Sequence, residues 1–180
     1  VFPYPVADPI ASKVSKSSVY INIMVGQEIR YCTGIVVSAT KGEVLTADHC
    51  FPYEGEMEIF TDGVPSKLIR RDGRFALVSM TPMTRTPLAI RKEPARIGEP
   101  VMAFGFGSNW PTFLWRRVAS MDVTDEVNGF AIDGPFIQGM SGGPVVDQLG
   151  QVVGVIQSVH VGVLGVACGV KEINDFLKAK

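Results

Sequence analysis

The stretch QGMSGGPVV, residues 138–146, decides how the rest of the chain is read. Gly139, Gly142 and Gly143 surround Ser141, and Pro144, Val145 and Val146 then begin a run that reads as a buried strand. Glycine tolerates backbone angles and close approaches that other residues do not. A serine on such a bend is either part of an ordinary tight turn or a nucleophile flanked by available backbone N–H groups. A serine hydroxyl is a weak nucleophile near neutral pH and needs a base within hydrogen-bond reach. Histidine, with an ordinary pKa near 6.5, suits that task. The chain has two histidines, His49 and His160. His49 lies in LTADHC, residues 45–50, where a predicted strand ends beside Cys50. The N–H groups of Gly139 and Ser141 are the candidate oxyanion hole, in which a donor is worth about 2.7–4 kcal/mol.

Outward from this bend, strand signals dominate. They cover residues 18–25, 31–38, 43–47, 56–60, 66–70 and 75–80, and resume at 101–107, 113–123, 129–132, 143–147, 151–159 and 163–170. Gly, Pro, Asp and Asn punctuate them at the spacing of barrels or sandwiches. Only the end, 171–179, has helical spacing of apolar residues and lysines in its last turn. The segment 81–100 holds four prolines and reads as a linker between two β halves, placed at 1–88 and 89–180. The formal net charge of −1 gives no electrostatic case for nucleic acid or an anionic membrane. The basic groups at Lys67, Arg70, Arg71 and Arg74, and at Arg116 and Arg117, read as solvated strand faces. The apolar run 152–170 is rich in Val and Gly and carries Gln157, Ser158 and His160, so it reads as a β-hairpin and not a membrane span. No Cys/His spacing suggests a metal site. FGFGSNW, 104–110, lacks the lysine and helix start of a phosphate loop, and Trp110 and Trp115 read as packing or loop anchors. A start at Val1 is that of a processed product or an excised domain.

TGIVVSATKGEVLTADHC, residues 33–50, followed by GMSGGPVV, 139–146, resembles the chymotrypsin-like serine protease family, closer to its bacterial and viral branches than to digestive trypsins. Thr46–Cys50 match the family's T-A-x-H-C motif and Gly139–Pro144 its G-x-S-G-G-P motif. The resemblance implies an all-β fold of two six-stranded antiparallel barrels with a short C-terminal helix, and an active site between them. It implies Ser141 as nucleophile, His49 as general base, a protein or peptide substrate, and no cofactor. It also implies a Cys32–Cys50 disulfide, whose alternative is two reduced buried thiols, with Cys168 left as a small buried hydrophobe. Such a bridge favours a secreted or periplasmic location, the alternative being a domain of a viral polyprotein. The oligomeric state is not legible.

Two departures from the family pattern matter. The family's D-[IL]-A-L column for the third triad member holds Arg74 here. Asp72 is two residues earlier, on the same strand face, and a bulge at Gly73 would bring it to His49. Asp72 is therefore the expected third member. Asp62 in the turn TDG is the next candidate, and a Ser–His dyad or a dead enzyme is the third possibility. Directly before the serine, Met140 replaces the aspartate that digestive members use in zymogen activation, so activation of that kind is not expected.

The substrate pocket is expected to be walled by Pro135–Gln138, strand 156–160 and Gly165–Cys168. Pro135 stands where trypsins carry an aspartate, which removes the case for a Lys or Arg preference, although Asp133 is close by. Gln157 and Val159 are expected to offer backbone hydrogen bonds to an extended substrate, and His160 is a candidate for its side chain. The expected function is a serine endopeptidase acting through an acyl-enzyme. Its rivals are a catalytically impaired pseudoprotease serving as a scaffold, and a β-sandwich adhesion domain in which both motifs are accidents.

Overall fold

The computed structural model describes residues 7–123, 129–160 and 164–179, with 122–123 and 158–160 described in backbone only. Six strands form a first closed barrel: β1 Ser18–Val25, β2 Glu28–Ser38, β3 Glu43–Ala47, β4 Glu58–Thr61, β5 Val64–Arg71 and β6 Phe75–Ser79. They are ordered β1-β2-β3-β6-β5-β4. A second closed barrel, ordered β10-β11-β12-β9-β8-β7, uses β7 Pro100–Gly107, β8 Trp110–Val123, β9 Gly129–Ile132, β10 Pro144–Val146, β11 Val152–His160 and β12 Leu164–Gly169. All pairings within the barrels are antiparallel. Within the apolar run 152–170, β11 pairs antiparallel with β12, and no helix among the described residues is long and apolar enough to cross a membrane.

Each barrel has its own core, and a third apolar cluster joins them. Val19, Ile21, Ile23, Val36, Val44, Ala76 and Val78 fill the first barrel. Val101, Ala103, Val118, Phe130, Ile132, Val145, Val153 and Ile156 fill the second. Between them, Ile35, Leu45, Phe75 and Leu77 of the first meet Met102, Phe104, Val146, Val155 and Cys168 of the second. Neighbouring side chains on a strand point to opposite faces. In β3 and β6, therefore, Val44, Ala76 and Val78 line the barrel interior while Leu45, Phe75 and Leu77 line the inter-barrel seam. These strands are buried on both sides, which is why EVLTA and FALVS show no polar alternation. By contrast β5 alternates exposed and half-buried residues along most of its length.

Two helices close the seam. The helix α2, Val170–Lys178, inserts Ile173 and Phe176, as its periodicity predicts. The helix α1, Pro9–Lys16, escapes the sequence reading. Its start signal is local: the Asp8 carboxylate accepts the N–H groups of Ile10 at 2.9 Å and Ala11 at 3.0 Å, and Pro9 needs no amide partner in the first turn. At 8 residues it is too short to show a long apolar period, yet Ala11 and Val14 are buried in the seam.

Cys32 in β2 is bridged to Cys50, which ends the single 3₁₀ turn Asp48–Cys50 after β3. The bridge closes a sequence separation of 18 residues. A Cys32→Ala/Cys50→Ala variant is expected to lose about 3 kcal/mol of unfolding free energy, read by urea titration against the oxidised protein.

Candidate active site

His49 rides on the 3₁₀ turn at the end of β3, and Ser141 on the bend leading into β10. The seam brings these two together from opposite barrels: His49 Nε2 and Ser141 Oγ are 2.9 Å apart. Ser141 Oγ also lies 3.4 Å from the Gln157 carbonyl on β11. Loss of solvation holds the His49 pKa below its ordinary value, against a weaker upward pull from the charge of Asp48. That direction favours the neutral imidazole, the form in which Nε2 can accept a proton.

The bend is built so that alternate amides stay free. Met140 N–H donates to Ile137 C=O at 3.0 Å, Gly142 N–H to Ile156 C=O at 2.8 Å and Gly143 N–H to Met140 C=O at 2.9 Å. The N–H groups of Gly139 and Ser141 have no partner among the described residues. Gly139 has φ +101° and Gly142 φ +86°, angles that L side chains rarely adopt. At Gly142 a Cβ would also fall 2.1 Å from Thr46 Oγ1 and 2.2 Å from Thr33 C=O. Met140, where digestive relatives carry an aspartate, is fully buried and packs into the second barrel's core.

Thr33 is the residue that fastens this bend to the first barrel. Its N–H donates to Ser141 C=O at 2.9 Å and its hydroxyl to Gly139 C=O at 2.9 Å. The same oxygen accepts from Phe106 N–H at 2.9 Å, and Thr33 C=O accepts from the Thr46 hydroxyl at 2.7 Å. The sequence reading passed over Thr33. Its signal is a hydroxyl directly ahead of the apolar run 34–37, which must find partners when buried.

The expected third member does not reach the histidine. Asp72 is exposed, and its Oδ1 accepts Arg74 N–H and Phe75 N–H, both at 2.8 Å, while Asp72 N–H donates to Phe75 C=O. The carboxylate is thus spent on shaping the tight turn between β5 and β6, the local competition in which aspartate excels. Gly73 adopts φ +93° within that turn, and the register shift in this hairpin falls between Leu68 and Arg70 instead. Asp62 is also committed elsewhere: it accepts Tyr20 N–H at 2.9 Å and pairs with Arg85.

A different acid stands beside His49. Asp48 is buried, and Arg71 grips it with Nε to Oδ1 at 2.5 Å and Nη2 to Oδ2 at 3.2 Å. The Tyr53 hydroxyl donates to Oδ2 at 2.6 Å. Burial pushes the Asp48 pKa up, but hydrogen bonds from Arg71 and Tyr53 and the Arg71 charge outweigh it and hold the carboxyl below the usual range. Arg71 also donates to the carbonyls of Asp48, Phe51 and Pro52. The cluster clamps the turn that carries His49, and its charge is internally neutralised.

On the substrate side, Pro135 and Gln138 are exposed ahead of the bend, and Gln138 C=O accepts from Ser108 N–H at 2.8 Å. Asp133 is taken by Arg117 N–H at 2.8 Å. Gln157 is buried, and its side-chain amide donates to Arg74 C=O at 3.3 Å. The Val159 and His160 backbones pair with Gly165 and Leu164, and their side chains lie outside the described residues. Burial pushes the Cys168 thiol up to about 12, so it is no second nucleophile.

A family model described as a trypsin-like peptidase domain matches residues 32–155. The chain belongs to this family. It is a serine endopeptidase, a hydrolase on the chymotrypsin-like fold. The active form of the Rv3671c protease from M. tuberculosis superposes with a TM-score of 0.81 at 20% identity, covering 98% of this chain and 92% of that one. Its inactive form gives 0.77 at 21%, covering 98% and 94%. A serine endoprotease from Yersinia pestis gives 0.82 at 18%, covering 97% of this chain and 66% of that one. No curated protein matches in sequence.

A Thr33→Val variant keeps the backbone donor but strands the buried Gly139 carbonyl and Phe106 N–H. It is expected to lose about 1–3 kcal/mol of stability in a denaturant titration and to label more slowly at Ser141 with a fluorophosphonate.

Proposed function

We propose that the peptidase works through a Ser141–His49 dyad, with no aspartate side chain bonded to the imidazole. The observation that carries this reading is the 2.9 Å His49–Ser141 contact beside two unpartnered N–H groups. With the ring proton on Nδ1, Nε2 accepts the Ser141 proton as Oγ attacks the scissile carbonyl carbon. Negative charge then gathers on the carbonyl oxygen, where the Gly139 and Ser141 amides donate to it. His49 returns the proton to the leaving amine, giving an acyl-enzyme that water hydrolyses by the same steps in reverse. The extended substrate runs along β11, whose outer backbone supplies hydrogen bonds. The disulfide supports an oxidising compartment, secreted or periplasmic.

Labelling with a fluorophosphonate, read by intact mass and peptide mapping, tests the nucleophile. A single adduct on Ser141 is expected, absent in Ser141→Ala and His49→Ala; a folded but unlabelled protein would favour the pseudoprotease. Asp72→Asn separates dyad from triad. Asparagine keeps the turn-shaping oxygen, so the labelling rate is expected to stay within about twofold, whereas a true triad aspartate loses about 10⁴. Because burial lowers the His49 pKa, the acid limb of the labelling rate is expected to have its midpoint below about 6.5.

A further inference from the structure

The acid column of the first barrel contributes a backbone group to the site. Arg74 C=O accepts Asp48 N–H at 2.9 Å, and Asp48 is the residue directly before His49. A carbonyl oxygen has two lone pairs, and the second is taken by Gln157 Nε2–H at 3.3 Å. Gln157 belongs to the other barrel, on β11, and only 4% of it is exposed. Its side chain therefore crosses the seam to the very carbonyl that holds the histidine turn. Its own main-chain carbonyl faces Ser141 Oγ. One residue earlier, Ile156 accepts Gly142 N–H at 2.8 Å and donates to Gly143 C=O at 2.9 Å, fixing the serine bend to the same strand.

We infer that the Gln157 carboxamide is a positioning residue for the reaction: by holding Arg74 C=O it sets the histidine turn against the serine bend, the orienting task that an aspartate in this column performs in a charged triad. The inference rests on the dyad reading above. The arrangement suits the charges present. A cation occupies the acid column, and a buried carboxylate there would have needed a desolvated partner. An amide donates to a carbonyl with no charge at all. It supplies geometry without stabilising the imidazolium, which agrees with a histidine whose pKa stays low.

The test uses Gln157→Met, which keeps length and packing but removes the donor, and Gln157→Asn, which keeps the amide but falls one methylene short. Each is compared with the unmodified chain by the rate of fluorophosphonate labelling at Ser141, by thermal unfolding, and by ¹⁵N NMR of the His49 ring. The rate is expected to fall about tenfold in both, the equivalent of one ordinary hydrogen bond. The proteins should remain folded at the assay temperature, with the His49 ring signals broadened by exchange between orientations. A purely structural glutamine would leave that ring spectrum unchanged. Labelling at the original rate in either folded variant, with sharp His49 signals, overturns the inference and leaves the dyad standing. If Gln157→Met does not fold, Gln157→Asn decides alone. An unmodified chain that fails to label overturns the dyad and this inference together.

Discussion

The 2.9 Å contact between His49 and Ser141 depends on the seam between two closed barrels. Neither barrel holds both groups. Each carries one on a short irregular piece at a strand end, and the barrels must be locked in translation and rotation to a few tenths of an ångström for a proton to pass. Apolar packing of Leu45, Phe75 and Leu77 against Met102, Phe104 and Val155 supplies the adhesion. It is non-directional, so it does not by itself set register. Hydrogen bonds do that here. Thr33 ties the serine bend to the first barrel through Ser141 and Gly139, and the serine bend is tied in turn to β11 through Gly142 and Gly143.

The same constraint explains what could be read from the residues. The meeting of Ser141 with His49 was legible because the chemistry proposed for them demands particular neighbours: a serine nucleophile needs glycines that free its amides, and a histidine base needs a place at a strand end that faces it. The strands were legible because alternation, or its absence in β3 and β6, follows from which faces are covered. The third member was not legible in this way. Asp72 was favoured by parity along a strand, but the chain has left the strand by that point. Its carboxylate finds two backbone N–H groups within three residues, and a local acceptor of that kind wins over a distant imidazole. Thr33 and the Asp48–Arg71–Tyr53 cluster were invisible for the opposite reason. Their partners lie between 5 residues away, for Asp48 and Tyr53, and 108 residues away, for Thr33 and Ser141, and the pairings exist only once the fold is made.

The electrostatics of the site are correspondingly muted. Among the described residues the carboxylate that acts on His49 is Asp48, and Arg71 and Tyr53 have already satisfied it. A pair whose carboxylate is buried is costly to break and contributes modestly when intact, since desolvation cancels much of the attraction. Its value is geometric: five hydrogen bonds from one guanidinium stiffen the turn 48–53.

A neutral, stiff setting changes what catalysis can draw on. In a charged triad the aspartate both orients the imidazole and stabilises the imidazolium that forms as the serine proton is taken. In the proposed dyad those two tasks are separated. Orientation can come from backbone carbonyls, a buried amide and a clamped turn, in which the Asp48 charge gives the charged ring only a weak pull. In that mechanism, stabilisation of the transition state rests more heavily on the amides of Gly139 and Ser141, which would act on the oxyanion and not on the histidine. That division accounts for the care with which the bend is held from three sides, by Thr33, by β11 and by the buried Met140 side chain. A donor displaced by rearrangement of this bend loses its effect, because preorganisation is what makes such dipoles worth more than water.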